Sequence, residues 1–312
     1  MTELSALNES ETPARSDLTG SLAVLFAAAS WGMSGIFVKW VGAEAEISAL
    51  ALAFWRDLTT FLILLAGVGL FRPDWLRIQR RDLRWLAALG GSLGTFHVFW
   101  NLGVFLNGAA VATVQQAAMP AIVAAAAWII WREPLTRTKI VAILLTFLGT
   151  VMVSGLDVLG QADLSLSGLV IGLGIPITYA AWSLFGKKVR GTYNPLTTLT
   201  YAFGFGALVL LPFQFFTPQP WPLPPAAAFL WFGALIAVAT IIPFLAYTFA
   251  LGRLQASVAS ILAMSEIAFV AVYAYVLLSE RLTVSQILGS ILVVVGVLLL
   301  FWQGWRARAR VQ

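Results

Sequence analysis

The chain has 312 residues, of which 60% are hydrophobic and only 11% are charged, and its mean hydropathy is +0.89. Soluble domains are about 45–50% apolar and about 25% charged, so this chain cannot cover a water-soluble surface. The composition therefore excludes soluble enzymes and nucleic-acid-binding modules despite a net charge of +5. Because the chain has no cysteine and a single histidine, His97, it also excludes disulfides, thiolate sites and multi-histidine metal centres. We expect an integral membrane protein.

Ten stretches are long and apolar enough to cross a bilayer, which takes roughly 20 residues as a helix. They cover 19–41, 47–71, 83–106, 109–131, 137–156, 167–187, 195–216, 225–250, 254–278 and 283–304. Such continuous apolar stretches are unlike the short alternating strands of a membrane barrel. The sequence therefore predicts an all-α integral membrane fold of ten transmembrane helices. Residues 1–18 are polar, which predicts a disordered cytoplasmic tail.

The basic residues are distributed unevenly between the loops. If the N-terminus is cytoplasmic, sixteen of the 19 Lys and Arg residues fall in inside segments. Lys39 and Arg281 then fall outside, and Arg56 lies within the second span. Because cytoplasmic loops carry an excess of Lys and Arg, we expect both termini to be cytoplasmic.

The two halves of the chain resemble one another. Residues 106–119 resemble 251–264, and after a two-residue length difference REPLT at 132–136 matches SERLT at 279–283. Each copy contains five spans, at 19–156 and 167–304, and an odd number requires the copies to have opposite orientations in the membrane. Inverted repeats recur in secondary transporters. A duplicated scaffold or a membrane enzyme is the alternative interpretation.

The repeated motifs resemble those of a known family. LSERLT at 278–283, followed by Gln286, Gly289 and Gly296, resembles the EamA signature of the drug/metabolite transporter superfamily, and WREPLT at 131–136 with Gly149 resembles its first copy. The resemblance implies ten helices arranged as two inverted five-helix repeats. It also implies transport of amino acids, nucleotide-sugars, metabolites or drugs. Within the superfamily, the Trp-rich ten-span pattern is most similar to the YddG-type exporters of aromatic amino acids.

Polar side chains inside the spans are the first candidates for a binding site, because a polar group in the bilayer is costly unless it faces the interior. His97, Trp100 and Asn101 lie at i, i+3 and i+4 and therefore share one face of the third span. An imidazole, an indole and a carboxamide can hold the polar end of a zwitterion. A structural histidine bonded to a backbone carbonyl is the alternative.

Aromatic residues supply a second candidate surface. Trp31 and Trp182 occupy equivalent repeat positions in spans 1 and 6, and Tyr179 lies one turn before Trp182. Two indoles related by a pseudo-two-fold axis are expected to face one another across a central cavity, which suits an aromatic or large apolar substrate side chain; ordinary packing is the alternative. Further binding candidates, each equally explicable as packing, are Gln115, Met119, Tyr247 and Met264.

Several other residues inside the spans or at their ends have a functional and a structural interpretation. Glu266, near the centre of span 9, could couple transport to a proton or serve as a structural carboxyl group. Arg56 and Asp57 are interpreted as a structural ion pair or polar face of span 2. Glu133 and Glu280 are expected to cap a helix or pair with a neighbouring arginine. Mid-membrane kinks that could act as gates are predicted at Pro120, Pro176 and Pro243.

Together these features predict a secondary transporter of the bacterial inner (plasma) membrane that exports amino acids by alternating access. Aromatic and bulky neutral amino acids are favoured. Because no ATP-binding motif is present, a gradient must drive transport, and facilitated export or exchange is expected because the spans hold no convincing pair of acidic residues. The alternatives are an exporter of cationic drugs or other metabolites in the same superfamily and, in a different class, a membrane-embedded enzyme. The expected partners are a small-molecule substrate and the lipid bilayer. We expect a monomer or weak dimer with no catalytic residues, metal, cofactor or nucleic acid.

Overall fold

The structure, a computed structural model, describes residues 17–155, 165–216, 226–279 and 281–309, and within these ranges the chain is all-helical. In chain order the helices are α1 Leu18–Gly32, α2 Ser34–Glu44, α3 Ala49–Phe71, α4 Leu83–Asn107, α5 Ala109–Gln116, α6 Met119–Trp131, α7 Arg137–Val153, α8 Leu166–Arg190, α9 Pro195–Leu210, α10 Phe229–Ile236, α11 Ile242–Leu251, α12 Ala256–Ala263, α13 Glu266–Leu278 and α14 Val284–Ala309. A π-helical segment, Ala237–Ile241, joins α10 to α11. Because α1–α2, α5–α6, α10–α11 and α12–α13 each continue one another, the described helices build ten rods, which confirms the predicted fold.

Eight of the rods in the described ranges are long and apolar enough to cross a membrane. The other two are α4 and α7. Helix α7 has only 17 residues, and α4 carries His97 and two asparagines, which lower its hydropathy. Both nevertheless pack against rods that qualify, α4 against α8 and α7 against α14.

Some of the sequence predictions fall outside the described residues. These are the tail up to residue 16, the loops 156–164 and 217–225, and Glu280. Of the segment 1–18, for which disorder was predicted, Asp17 and Leu18 are described, and both belong to the start of α1. The Asp17 carboxylate accepts a hydrogen bond of 3.1 Å from the Gly20 amide, so the helix is capped rather than frayed at this point.

Equivalent backbone features recur 147 residues apart in the two halves. Arg132 and Ser279 both end a helix in the left-handed conformation, with φ of 57° and 55°. Thr136 and Thr283 each cap the next helix by accepting a hydrogen bond of 3.3 Å from the amide three residues on. The same sequence motif therefore builds the same helix–turn–helix corner twice.

The helix starts correct the register of the repeat in spans 4 and 9. Helices α5 and α12 begin at Ala109 and Ala256, again 147 residues apart, whereas the sequence alignment of 106–119 with 251–264 was shifted by two residues. The length difference lies before these helices and not after them. Consequently Met119 corresponds to Glu266, not to Met264.

The crossing of α7 and α14 repeats itself when the two halves are exchanged. A Cβ atom added at Gly149 would lie 2.6 Å from the Gly289 carbonyl oxygen, and one at Gly289 would lie 2.6 Å from the Gly149 oxygen. The equivalent contact joins Gly296 to the carbonyl of Ala142 at 3.1 Å. Exchange of the halves turns the pair 149/289 into 296/142, as expected for two repeats related by a pseudo-two-fold axis at this crossing.

The helices around the core also pair symmetrically. Helix α1 packs against α11, and their counterparts in the other halves, α8 and α4, also pack against each other. We call one end of the bundle the basic end and define it by the segments 72–84 and 132–139, the last turn of α8 at 187–190, and Arg253. Contacts join these segments, since the Tyr193 hydroxyl donates to Asp82 at 2.8 Å and the Lys187 ammonium donates to the Leu254 carbonyl. Helix α1 begins and α8 ends at the basic end, so depth can be counted from it.

Candidate functional site

Aromatic side chains from both halves meet in the core. We call Trp31, Tyr179, Trp182, Phe244 and Tyr247 the aromatic cluster. Trp31 and Trp182 are in edge contact with centroids 6.4 Å apart, and Trp182 stacks on Tyr247 at 5.2 Å. Phe244 lies 5.3 Å from each of the two indoles, and Tyr179 lies 5.6 Å from Trp182. The structure thus brings together four aromatic residues that the sequence nominated for binding.

The rings of the aromatic cluster fill the space between them. Trp31 is 7% exposed, Trp182 is 2% exposed and Tyr247 is fully buried. The Tyr247 hydroxyl shares a hydrogen bond of 2.8 Å with Ser183, whereas the buried indole N–H of Trp31 has no acceptor. A substrate ring could enter only if these side chains rotate, and the Trp31 N–H is a donor that a ligand could satisfy.

The aromatic cluster extends from near the basic end to the middle of the bundle, since Trp31 lies 13 residues after the start of α1, about 20 Å from the basic end. Trp182 lies eight residues before the end of α8 and Tyr247 four residues before the end of α11. At about 1.5 Å per residue, these positions are about 12 Å and about 6 Å from the ends of their helices. Since the cluster is fully packed, it closes the bundle on this side.

A polar network beyond the aromatic cluster ties the basic end together. The Glu133 carboxylate accepts hydrogen bonds from the first amides of α12, those of Ala256 at 2.8 Å and Ser257 at 3.2 Å. The Lys139 ammonium donates to Gln255 at 2.6 Å and to the Ser257 hydroxyl at 2.7 Å. Glu133 therefore caps a helix of the other half, as one of its two predicted roles required, and does so without Arg132.

Glu266 stands at the first position of α13, directly after the break in span 9. Its carboxylate makes no hydrogen bond or ion pair with the described residues, and the side chain is only half-buried. Met119 and Met264 are buried in the same core as the aromatic cluster. Glu266 is therefore an unpaired acidic group at the edge of the cluster.

His97 joins a second, separate polar centre. Its Nδ1 lies 2.9 Å from Asp57 Oδ2, and its Nε2 lies 2.7 Å from Arg56 Nη2. A guanidinium can only donate, so Nε2 must accept and Nδ1 must carry the proton that His97 donates to Asp57. The Asn101 amide donates to the His97 carbonyl at 2.7 Å, within its own helix. We call Arg56, Asp57 and His97 the ionic triad.

Two glycines allow the helices to approach closely beside the ionic triad. A Cβ added at Gly206 in α9 would lie 3.0 Å from Asp57 Oδ2, so a larger residue would press on the carboxylate. Gly94 in α4 crosses Gly206, where an added Cβ would lie 2.6 Å from the Gly206 oxygen. This close crossing positions His97, three residues after Gly94, opposite Asp57.

Gln115 lies in neither polar centre. The Asn107 amide donates to Gln115 Oε1 at 3.2 Å and to the Gly168 carbonyl at 2.8 Å. Asn107 ends α4 and Gly168 begins α8, so this contact is at the end opposite the basic end. The Gln115 amide also occupies the space that a Cβ at Gly172 would take. The predicted binding residue therefore bridges helices here.

The three predicted proline kinks have different outcomes. Pro120 and Pro243 are the second residues of α6 and α11, each following an irregular segment. Pro176 lies inside the continuous helix α8, so the helix is not broken there, and a kink at this position stays a prediction. Thr178 donates to the carbonyl of Gly174 at 2.6 Å, which supports the backbone beside the proline. Whether any of the three acts as a gate stays a prediction.

A shallow groove of about 520 Å³ lies on the outside of the bundle, between the start of α9 and α11. Its lining is apolar apart from Asn194, and it includes Trp75, Leu245 and Phe249. It contains none of the predicted binding residues and no charged group. We therefore place the candidate site at the aromatic cluster and the ionic triad.

Sequence reasoning missed the connection between these residues. It identified Arg56 and Asp57 as polar residues in a span and His97 as a binding candidate, but not their contact. The available signal was that three titratable residues lie in adjacent spans, where each needs a partner. Among the described residues, no group of three or more His, Asp or Glu side chains is arranged to hold a metal ion.

Comparison with known proteins gives concordant results. The family model described as the EamA-like transporter family matches residues 18–155 and 166–302. A transporter of Archaeoglobus fulgidus is 26% identical over 86% of this chain and 93% of its own length, and the inner membrane transporter YicL of Salmonella typhimurium is 27% identical over 93% and 97%. A protein of known crystal structure superposes with a TM-score of 0.77 at 17% identity, over 92% of this chain and 98% of its own.

Proposed function

Because the chain belongs to the EamA-like transporter family, and is therefore a membrane transporter and not an enzyme, we propose that it exports amino acids with aromatic or bulky neutral side chains. The observation that carries this proposal is the aromatic cluster, in which α1 of the first half meets α8 and α11 of the second. A flat aromatic side chain can replace ring–ring contacts of this kind with its own. The resemblance to YddG-type exporters supports the same substrate class.

The mechanism that we propose is alternating access. The aromatic cluster and the Glu133 network close the basic end in the state described, so a substrate would reach the core from the opposite end. Rocking of the two halves would separate Glu133 from α12 and open the basic end. Glu266, unpaired beside the cluster, would bind the ammonium group. The driving force would be the substrate gradient or exchange.

We place the protein in the bacterial inner membrane with both termini in the cytoplasm, as a monomer or weak dimer. The orientation is supported by the loop charges, since the basic end carries most of the Lys and Arg residues. The location is supported by the Salmonella relative, whose name describes an inner membrane transporter. Export would then run from the basic end to the opposite end.

Export of cationic drugs is the second candidate. It is favoured by one observation, the unpaired carboxylate of Glu266 beside a buried aromatic surface. An organic cation can be held by a carboxylate and by cation–π contact with Trp31 or Trp182. The two candidates differ in whether the substrate must carry a carboxylate.

Counterflow in proteoliposomes tests the proposal. Purified protein is reconstituted with unlabelled tryptophan or phenylalanine inside, and uptake of the radiolabelled amino acid is measured. We expect the wild type to accumulate label and Trp182→Ala to lose most of this uptake. Trp128→Ala is the matched control, because this tryptophan is 48% exposed on the lipid-facing surface of α6.

Two results would refute amino-acid export. The first is no counterflow with any aromatic or aliphatic amino acid by folded wild-type protein. The second is equal loss of uptake in Trp182→Ala and Trp128→Ala, which would remove the role of the aromatic cluster. Counterflow of tetraphenylphosphonium without counterflow of amino acids would establish the cationic-drug alternative.

A further inference from the structure

We propose that Arg56 binds the carboxylate of the transported molecule, with Asp57 and His97 as positioning residues that hold its guanidinium in place. The inference deepens the proposed function and rests on it, because it identifies the chemical group by which an amino acid would be recognised. The sequence interpretation had given Arg56 and Asp57 a structural role only. The geometry of the ionic triad points to more than that.

Arg56 has donors that nothing in the described residues uses. Its Nη2 donates to His97, but its Nε lies 3.7 Å from Asp57 Oδ1, which is too long for a hydrogen bond. Both of these atoms are buried without a hydrogen-bond partner. A pair with a purely structural role would close this gap, because a buried unsatisfied charge is costly. The Arg56 guanidinium is therefore held in place by His97 but keeps an N–H group that could bind a ligand.

The Arg56 side chain is not fully enclosed by its neighbours. The bond to His97 directs Arg56 from α3 towards α4, and α3 packs mainly against α9 and little against α4. The side chain remains 17% exposed, although the neighbouring Asp57 is fully buried. A planar guanidinium with free N–H groups matches the two oxygens of a carboxylate.

The free donors of Arg56 favour an anionic ligand at this position. With His97 neutral, the positive charge of Arg56 and the negative charge of Asp57 balance, so the triad can stay in the membrane interior without a ligand. Asp57 Oδ2 is hydrogen-bonded to His97 Nδ1 at 2.9 Å, and Oδ1 forms only a loose ion pair with Arg56 Nε at 3.7 Å. A ligand carboxylate could therefore accept the hydrogen bond that Asp57 does not accept from Arg56 Nε.

The ionic triad adjoins the aromatic cluster through one side chain, Phe96. The Phe96 ring lies 5.6 Å from the His97 imidazole and 4.7 Å from Tyr179 of the cluster. A molecule with its carboxylate on Arg56 could thus direct its side chain past Phe96 to Tyr179. The two centres together fit a compound that carries a carboxylate next to a flat apolar group.

Three probes separate the groups involved. Phenylalanine has a carboxylate and an ammonium group, phenethylamine has only the ammonium and phenylacetate only the carboxylate. Binding of each is measured by isothermal titration calorimetry on the purified full chain in detergent. We expect Arg56→Gln to weaken phenylalanine and phenylacetate by roughly 10- to 100-fold, as loss of a charge-assisted pair implies. Phenethylamine should bind as to wild type.

Further variants distinguish loss of ligand binding from loss of folding. Arg56→Lys retains the charge and should recover part of the affinity for phenylacetate. Arg84→Gln is the matched control, because this arginine is exposed and stacks on Trp85 at the basic end. His97→Gln can still donate to Asp57 and accept from Arg56, so it should bind phenylacetate more tightly than His97→Ala. A structural role alone would not produce this order.

The outcomes separate this inference from the proposed function. Arg56-dependent binding of phenylacetate by a protein that does not exchange phenylalanine supports the carboxylate site and refutes amino-acid export. Exchange of phenylalanine that survives Arg56→Gln unchanged supports export and overturns the carboxylate site. Equal weakening of phenethylamine and phenylacetate, or no binding of phenylacetate by wild type, also overturns it.

Discussion

The contact between Gly149 and Gly289 predicts that the crossing of α7 and α14 tolerates no additional methyl group. A Cβ at Gly149 would lie 2.6 Å from a backbone oxygen and 2.7 Å from Val293. Ordinary contact of nonbonded heavy atoms begins near 3.5 Å. Gly149→Ala must therefore separate the two helices by about 0.9 Å or bend one of them.

The magnitude follows from two opposing effects. Overpacking of this kind costs about 1–3 kcal/mol, whereas alanine is favoured over glycine in a helix by roughly 0.5–1 kcal/mol. Gly67→Ala isolates the second effect, because an alanine Cβ at Gly67 inside α3 meets nothing within 4 Å. We expect Gly67→Ala to be neutral or stabilising and Gly149→Ala to lie about 1–3 kcal/mol below it in free energy of unfolding.

Unfolding of the purified protein in detergent, by denaturant titration or by heat, measures this difference. Gly289→Ala should match Gly149→Ala, and the double variant should cost less than the two singles combined, because the first methyl already parts the helices. If Gly149→Ala were as stable as Gly67→Ala, the helices would not cross at these glycines. Fully additive costs would mean that the two glycines do not share one contact.

Three further predictions concern single polar contacts. Glu133→Ala removes the cap of α12 and should cost about 1–2 kcal/mol in unfolding free energy, and Glu133→Gln should cost less. Ser183→Ala leaves the buried Tyr247 hydroxyl unpaired and should cost about 1–3 kcal/mol, most of which Tyr247→Phe in the same chain should restore. Gly206→Ala pushes on the Asp57 carboxylate, so it should lower the affinity for phenylacetate with a smaller effect on the melting temperature.

Each of these has a contrary result. If Glu133→Ala melted at the wild-type temperature, the carboxylate would not stabilise the start of α12, and equal melting of Glu133→Ala and Glu133→Gln would mean that the amide oxygen of glutamine does not cap it. If the double variant Ser183→Ala with Tyr247→Phe were no more stable than Ser183→Ala, the hydrogen bond between the two hydroxyls would contribute nothing to stability. If Gly206→Ala bound phenylacetate as tightly as wild type, the position of Asp57 would not matter for ligand binding.

The course of the helices across the membrane was predictable from the sequence, but the breaks within the rods were predictable only where a proline marks them. Hydropathy locates a span because every apolar stretch of sufficient length must cross the bilayer as a helix. The proline at position 120 marks the break in span 4. Span 9 breaks at the equivalent place without a proline, where the Ser265 hydroxyl donates to the Leu262 carbonyl at 2.7 Å. Such local competition for backbone acceptors is not distinctive in a sequence.

The candidate site was predictable where symmetry constrains it. Equivalent positions in the two repeats indicated that Trp31 and Trp182 lie close together. The partners of His97 were not predictable, because Asp57 lies 40 residues away and nothing in a single sequence fixes which face of α3 meets α4. His97, Trp100 and Asn101 lie on one helix as predicted, but the His97 imidazole is bonded to Asp57 and Arg56.

The Lys139 network has a consequence for how often each side of the bundle is open. Lys139 donates to Gln255 and Ser257 at the basic end. The equivalent positions 147 residues away are Gln286, Gly108 and Ala110, so the other copy has an uncharged donor and no side-chain acceptor for it. Exchanging the conformations of the two halves therefore loses these bonds without replacement. Each 1.4 kcal/mol shifts a two-state population about tenfold. Without a ligand, the conformation in which the basic end is closed should therefore be the more populated one, and a ligand would have to favour the other conformation to open it.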